Sequence, residues 1–123
     1  MKYMILIHSN PQSLELWDTL TDQQQADFGH GHLKLTNEMA EAGVLVAAEG
    51  LADPGLARWI SVRDGETIAS DGPFAEVKEH LAGFYLIDVE NQEAAVAWAA
   101  KVPDALLREV ELRPILDMSG WEF

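Results

Sequence analysis

Apolar and polar positions alternate with a two-residue period at the start of the chain, where Tyr3, Ile5 and Ile7 fall on one side and Met4, Leu6 and His8 on the other. Both sides are apolar, which predicts a strand over Lys2 to His8 that is buried on both faces in the middle of a sheet. Ser9-Asn10-Pro11 ends it, and a polar loop anchored by Leu14, Leu16 and Trp17 is expected next. The period then changes. Phe28, His32, Leu35, Met39 and Ala42 recur at spacings of four and three, which is the stripe of an amphipathic helix. Thr21 opens this helix with Gln24 in the capping-box position, and Gly43 closes it. Gly29 and Gly31 within it each cost about 1 kcal/mol of helix propensity relative to alanine. A kink or a late start in the first half is one consequence. Close approach of the sheet, of a partner chain or of a ligand would each offset the cost.

Val44 to Leu51 alternates as the next strand, and Ala52-Asp53-Pro54-Gly55 reads as a turn. Ala57 to Arg63 and Glu66 to Ser70 form a hairpin across Asp64-Gly65, a two-residue type I′ signal. Its half-apolar alternation suits an exposed edge ribbon. Asp71-Gly72-Pro73-Phe74 is a turn with few backbone options, because proline fixes its own φ and restricts the glycine before it. Glu76, Lys78 and Glu79 after it suit the first turn of a short helix. Gly83 to Val89 alternates as a further strand, with Phe84 and Leu86 on one face and Tyr85 and Ile87 on the other. Asn91 caps a second helix through Lys101, with Ala95, Trp98, Ala99 and Val102 as its buried stripe and Pro103 as its stop. Arg108 to Leu116 is the last strand. Met118, Trp121 and Phe123 make the tail apolar enough to dock on its own body or on another subunit.

With the hairpin and the Asp71 turn set aside as an insertion, the order β-α-β-β-α-β is that of a ferredoxin-like α+β fold with both helices on one face of the sheet. The other face is apolar and needs cover. A second sheet in a homodimer is the expected cover.

The 123 residues make one domain, residues 1–123. The longest apolar run falls well short of the roughly 18 residues of a membrane span. Residues 1 to 8 lack a basic segment and a cleavage site, so a first strand is expected there rather than a signal peptide, in a soluble cytoplasmic protein. Cysteine is absent, which excludes disulfides and thiolate chemistry. The net charge is −13, from 21 acidic against 8 basic residues, and this argues against binding the phosphate backbone of nucleic acid. The same acidity suits solubility or a basic protein partner.

Histidine and carboxylates are the chemistry on offer. His32, in an apolar stripe, is a candidate general acid or base; a hydrogen-bonded core or pocket histidine is the alternative. His8 stands at a strand end beside a loop, where functional side chains often sit. Asp71 and Glu76 are candidate carboxylates of a ligand pocket, Lys78 a cation for an anionic ligand, and Phe74 an anchor under the loop. Lys78 can instead pair with Glu76 or Glu79 at the surface, a contact worth little. His30 and His32, with His8 and His80, supply four imidazoles. Residues two apart on a helix point about 200° from one another, so no metal site is expected. No cofactor motif, phosphate loop or Gly-x-Ser-x-Gly elbow is present.

Asp71-Gly72-Pro73-Phe74, followed by Glu76, Lys78-Glu79 and Gly83-Phe84, resembles the DGPF-type members of the YCII-related family. Met1-Lys2-Tyr3-Met4, Ala42-Gly43-Val44-Leu45 and Glu111-Leu112-Arg113-Pro114 extend the resemblance over nearly the whole chain. The resemblance implies a dimeric α+β barrel with a pocket in each subunit and no assigned reaction. It also implies a histidine at the position of His32 paired with an aspartate of an Asp-Pro after the second helix. His32 matches, but Val102 stands before Pro103 and Asp104 after it. The expectation is therefore a small-molecule pocket between the first helix, the sheet and the Asp71 loop, with proton-transfer lyase or isomerase chemistry. The alternative is a non-enzymatic regulatory or interaction module with a sigma-factor-like partner, which the resemblance also implies.

Overall fold

The structure, a computed structural model, describes residues 1–72 and 79–121. Its centre is a four-stranded antiparallel sheet built from β1 (Lys2–Ser9), β2 (Leu45–Gly50), β5 (His80–Asp88) and β6 (Glu111–Pro114), in the order β2-β5-β1-β6. This is the ferredoxin-like arrangement. Strand β1 runs beside β5 with Ile5 opposite Tyr85 and beside β6 with Ile5 opposite Leu112. Its odd residues therefore share one face with Tyr85 and Ile87, and two helices cover that face.

The first of these, α2 (Asp22–Glu41), begins at Thr21, whose hydroxyl accepts from Gln24 N while the Gln24 side chain accepts from Thr21 N. It runs unbroken through both glycines, and Gly43 takes φ +73° just beyond its end. Leu35 and Met39 press onto the sheet, whereas Ala42, expected in the stripe, is exposed. The second, α3 (Gln92–Ala99), is capped by the Asn91 side chain and buries Ala95 and Ala99. Ile5, Met39, Ile87 and Val102 are fully buried where these layers meet, each adding about 1.5–3 kcal/mol by leaving water.

Three sequence expectations need correction. The expected loop after β1 is a helix, α1 (Pro11–Thr19), in which the Asn10 side chain accepts from Ser13 N and the Ser13 hydroxyl accepts from Asn10 N. Proline at the first helical position opens a helix as readily as it ends a strand. The last strand is only Glu111–Pro114, because Pro103–Leu106 forms a 3-10 turn before it. The hairpin of β3 (Arg58–Arg63) and β4 (Glu66–Asp71) is a separate two-stranded sheet rather than an edge of the main one. Asp64 and Gly65 carry φ of 52° and 81°, as the type I′ turn requires.

The glycines of α2 differ in purpose. A Cβ at Gly29 would meet nothing within 4 Å, whereas one at Gly31 would lie 3.0 Å from Pro103 Cγ. Gly31 is where the 3-10 turn comes down onto the helix. Gly29→Ala is expected to stabilise the protein by up to about 1 kcal/mol in urea unfolding. Gly31→Leu is expected to destabilise it by about 1–3 kcal/mol, because Pro103 would have to move.

Candidate functional site

Pro103 against Gly31 sets Asp104 beside His32, at the middle of α2. Asp104 Oδ1 lies 2.7 Å from His32 Nε2, with both side chains largely buried. The aspartate stands on the other side of the proline from the family pattern, yet it reaches the same histidine. Asp104 Oδ1 has no hydrogen bond of good geometry, so this approach is a close charge contact off the N–H axis.

The opposite ring nitrogen of His32, Nδ1, is 2.5 Å from the Tyr85 hydroxyl. The two rings lie nearly parallel at 13°, with Phe28 edge-on to His32 at a centroid distance of 5.1 Å and Trp17 edge-on to Phe28 at 5.4 Å. Burial pushes the Tyr85 phenol above its ordinary 10.0, a hydrogen bond with Thr36 lowers it in part, and the Asp104 charge raises it further. The phenol therefore stays protonated at neutral pH and donates to Nδ1. That places the proton of a neutral imidazole on Nε2, toward Asp104. The Thr36 hydroxyl holds the helix locally by donating to His32 O at 2.9 Å.

The row Asp104, His32, Tyr85 forms part of the wall of a cavity of about 470 Å³ between α2, β2 and β5. Asp104 also lines a smaller neighbour of about 150 Å³, enclosed by α1, the end of β1 and the turn after α3. His8 lies in this second wall, where its Nε2 is 2.9 Å from Glu111 Oε1. The His8 bond and Arg113 together hold the Glu111 carboxyl below its ordinary 4.5.

Asp71 stands apart. It ends β4 with its side chain 92% exposed, 3.4 Å from Arg58, and lines neither cavity. Phe74, Glu76 and Lys78, and the short helix expected there, lie outside the described residues. His30 is exposed on α2, and no metal-ligating group of three or more His, Asp or Glu side chains occurs among the described residues.

Sequence reasoning missed Tyr85, Asp104 as a partner and Arg108. Tyr85 could have been found from strand parity, since Tyr85 and Ile87 share a face and that face lies under the helix stripe holding His32. Asp104 and Arg108 are one helical turn apart, a spacing visible only once a turn is assigned there.

Two comparisons bear on kinship. The family model of the YCII-related domain matches residues 1–119. "Uncharacterized protein R00369" of Rhizobium meliloti (strain 1021) is 31% identical over 118 residues, which span 94% of this chain and 92% of that protein.

The phenol supplies a direct check on the site's electrostatics. In NMR-monitored titration Tyr85 is expected to ionise above 10.0. Asp104→Asn should lower that value while leaving it above the ordinary one, because burial remains the larger cause. A Tyr85 that ionises at the ordinary value in the folded protein would contradict the geometry.

Proposed function

We propose that this chain, which belongs to the YCII-related family, binds a small molecule in the cavity over Tyr85 and His32 and moves a proton on it. The Asp71-Gly72-Pro73-Phe74 stretch supports a place among the DGPF-type members. The carrying observation is the row in which His32 has a phenol on Nδ1 and a carboxylate near Nε2.

Both ring nitrogens are engaged, so a proton reaches His32 through a neighbour. A substrate C–H or O–H at the cavity wall gives its proton to the Tyr85 oxygen as the phenol proton passes to Nδ1. The imidazolium so formed keeps its Nε2 proton toward Asp104, whose negative charge stabilises it. Reversal returns the proton to the same or a neighbouring atom of the substrate, which is isomerisation, or accompanies loss of a leaving group, which is elimination. Phe28 and Ala82 line the cavity with apolar surface, and the lower local dielectric beside them strengthens each of these interactions.

The uncovered sheet face supports a homodimer as the working unit. Met4, Phe84 and Leu86 are only half buried on it, between Glu49 at one edge and Glu111 and Arg113 at the other. A second copy of this sheet is the matching cover. Sedimentation is expected to show a dimer that Leu86→Lys converts to folded monomers; a wild-type monomer at working concentration would refute it.

Solvent deuterium exchange tests the chemistry. Small enolisable ketones, esters and lactones, followed by proton NMR, are expected to exchange faster with the protein than with buffer. His32→Ala should slow the responsive compounds by about 100-fold or more. Equal exchange by wild type and His32→Ala, or none above buffer for any compound, would show that His32 does not transfer protons.

A further inference from the structure

We propose that Arg108 is the anion-holding residue of this site and that its ligand is a small carboxylic acid. Arg108 N–H donates to Asp104 O at 2.9 Å, so the two side chains leave one turn of backbone on the same side and both line the 150 Å³ cavity. Its side chain is 23% exposed, and Nη2 lies 3.3 Å from Glu79 Oε1, which also accepts from Asn10 Nδ2 at 3.3 Å. Both contacts are long, and Glu79 is more than half exposed. The other nitrogen, Nη1, is buried with no acceptor.

A buried charged donor without a partner is unfavourable, and the side chain that carries it lines, through its other atoms, a cavity that Asp104 also lines. Leu16, Trp17, Leu20 and Phe28 are among the apolar residues of that wall, and His8, Ser9 and Ser13 add polar groups to it. The combination is one planar cation beside a mostly apolar chamber, which is how a carboxylate on a short hydrocarbon frame is recognised. A cavity of about 150 Å³ admits a molecule the size of benzene. A dianionic phosphate fits less well, since Asp104 and Glu79 oppose a second negative charge and Arg108 is the one Lys or Arg in the wall among the described residues. Arg108 also lines a polar groove with Asn10, Ser13 and Glu109, a path from solvent to the guanidinium.

The inference rests on the proton-transfer reading only in taking the carboxylic acid for the substrate, because Asp104 joins this cavity to the one over His32. Benzoate is the probe, with benzamide as its neutral counterpart and phenyl phosphate as the alternative anion. In amide NMR titrations of the full chain, benzoate is expected to shift Trp17, Asp104 and Arg108 saturably, and benzamide not. Arg108→Gln should weaken benzoate by about 10- to 100-fold, with Arg108→Lys between the two because a point charge replaces the fork.

Equal binding of benzoate and benzamide to the wild type, no saturable benzoate shift, or unchanged affinity in Arg108→Gln would overturn the proposal. Tighter binding of phenyl phosphate than benzoate would overturn the carboxylate assignment. The benzoate and benzamide pair decides the matter on the unaltered protein even if Arg108→Gln fails to fold. Benzoate binding lost in Arg108→Gln, with exchange unaffected by His32→Ala, would sink the proton-transfer reading alone; the reverse pattern would sink the anion site alone.

Discussion

The contact between Gly31 and Pro103 is the constraint on which the site depends. A side chain at residue 31 would press on the turn after α3, since even a Cβ there would stand 3.0 Å from the proline ring, a contact tight enough that the ring would have to give by a few tenths of an ångström. Glycine lets the backbone of α2 and the ring of Pro103 come into direct contact, and the next residue is Asp104. The propensity lost by an interior glycine, about 1 kcal/mol, is thereby linked to a carboxylate position. Gly29, two residues earlier, has open space around it and no such link. Nothing in the structure explains why glycine stands there.

The sheet supplies the second coordinate. Residues on β1 and β5 alternate between a face packed by α2 and α3 and a face left for another surface. Ile5 opposite Tyr85 fixes which side of β5 meets His32. A slip of one residue would place Phe84 under the helix and remove the phenol from the imidazole. The completely buried Ile5 and Ile87 resist that slip, so hydrophobic packing two residues along the strand keeps a 2.5 Å polar contact in register.

Much of this was legible in the residues. Strand parity located β1 and β5, the capping box at Thr21 located the start of α2, the Asn91 cap that of α3, and Asp64-Gly65 the hairpin, because each rests on local backbone chemistry. Helix α1 was not found, although Asn10-Pro11-Gln12-Ser13 carries a complete capping signal. Its proline follows a strand directly, and the breaker function hid the opener function. At the site, His32 stood out because a titratable ring in an apolar stripe breaks the pattern. Asp104 was set aside because it follows the proline instead of preceding it. That order matters only in an extended chain. In the 3-10 turn of Pro103–Leu106 the chain curls within one residue, so a carboxylate after the proline swings back to the helix.

The distribution of unsatisfied groups points the same way. Side-chain polar atoms that are buried without a well-formed hydrogen bond number two among the described residues, Asp104 Oδ1 and Arg108 Nη1. They lie four residues apart in one turn, at one cavity, in a chain whose charge is otherwise spread over its surface. Folding alone gives no reason to bring an orphaned acceptor and an orphaned donor together without pairing them; a direct ion pair would satisfy both. Leaving them unpaired keeps the Arg108 charge uncompensated by Asp104, beside the space between α1, β1 and the turn that both residues line. The Asp104 charge is directed instead to the imidazole, where its contact with His32 is close without being well aligned.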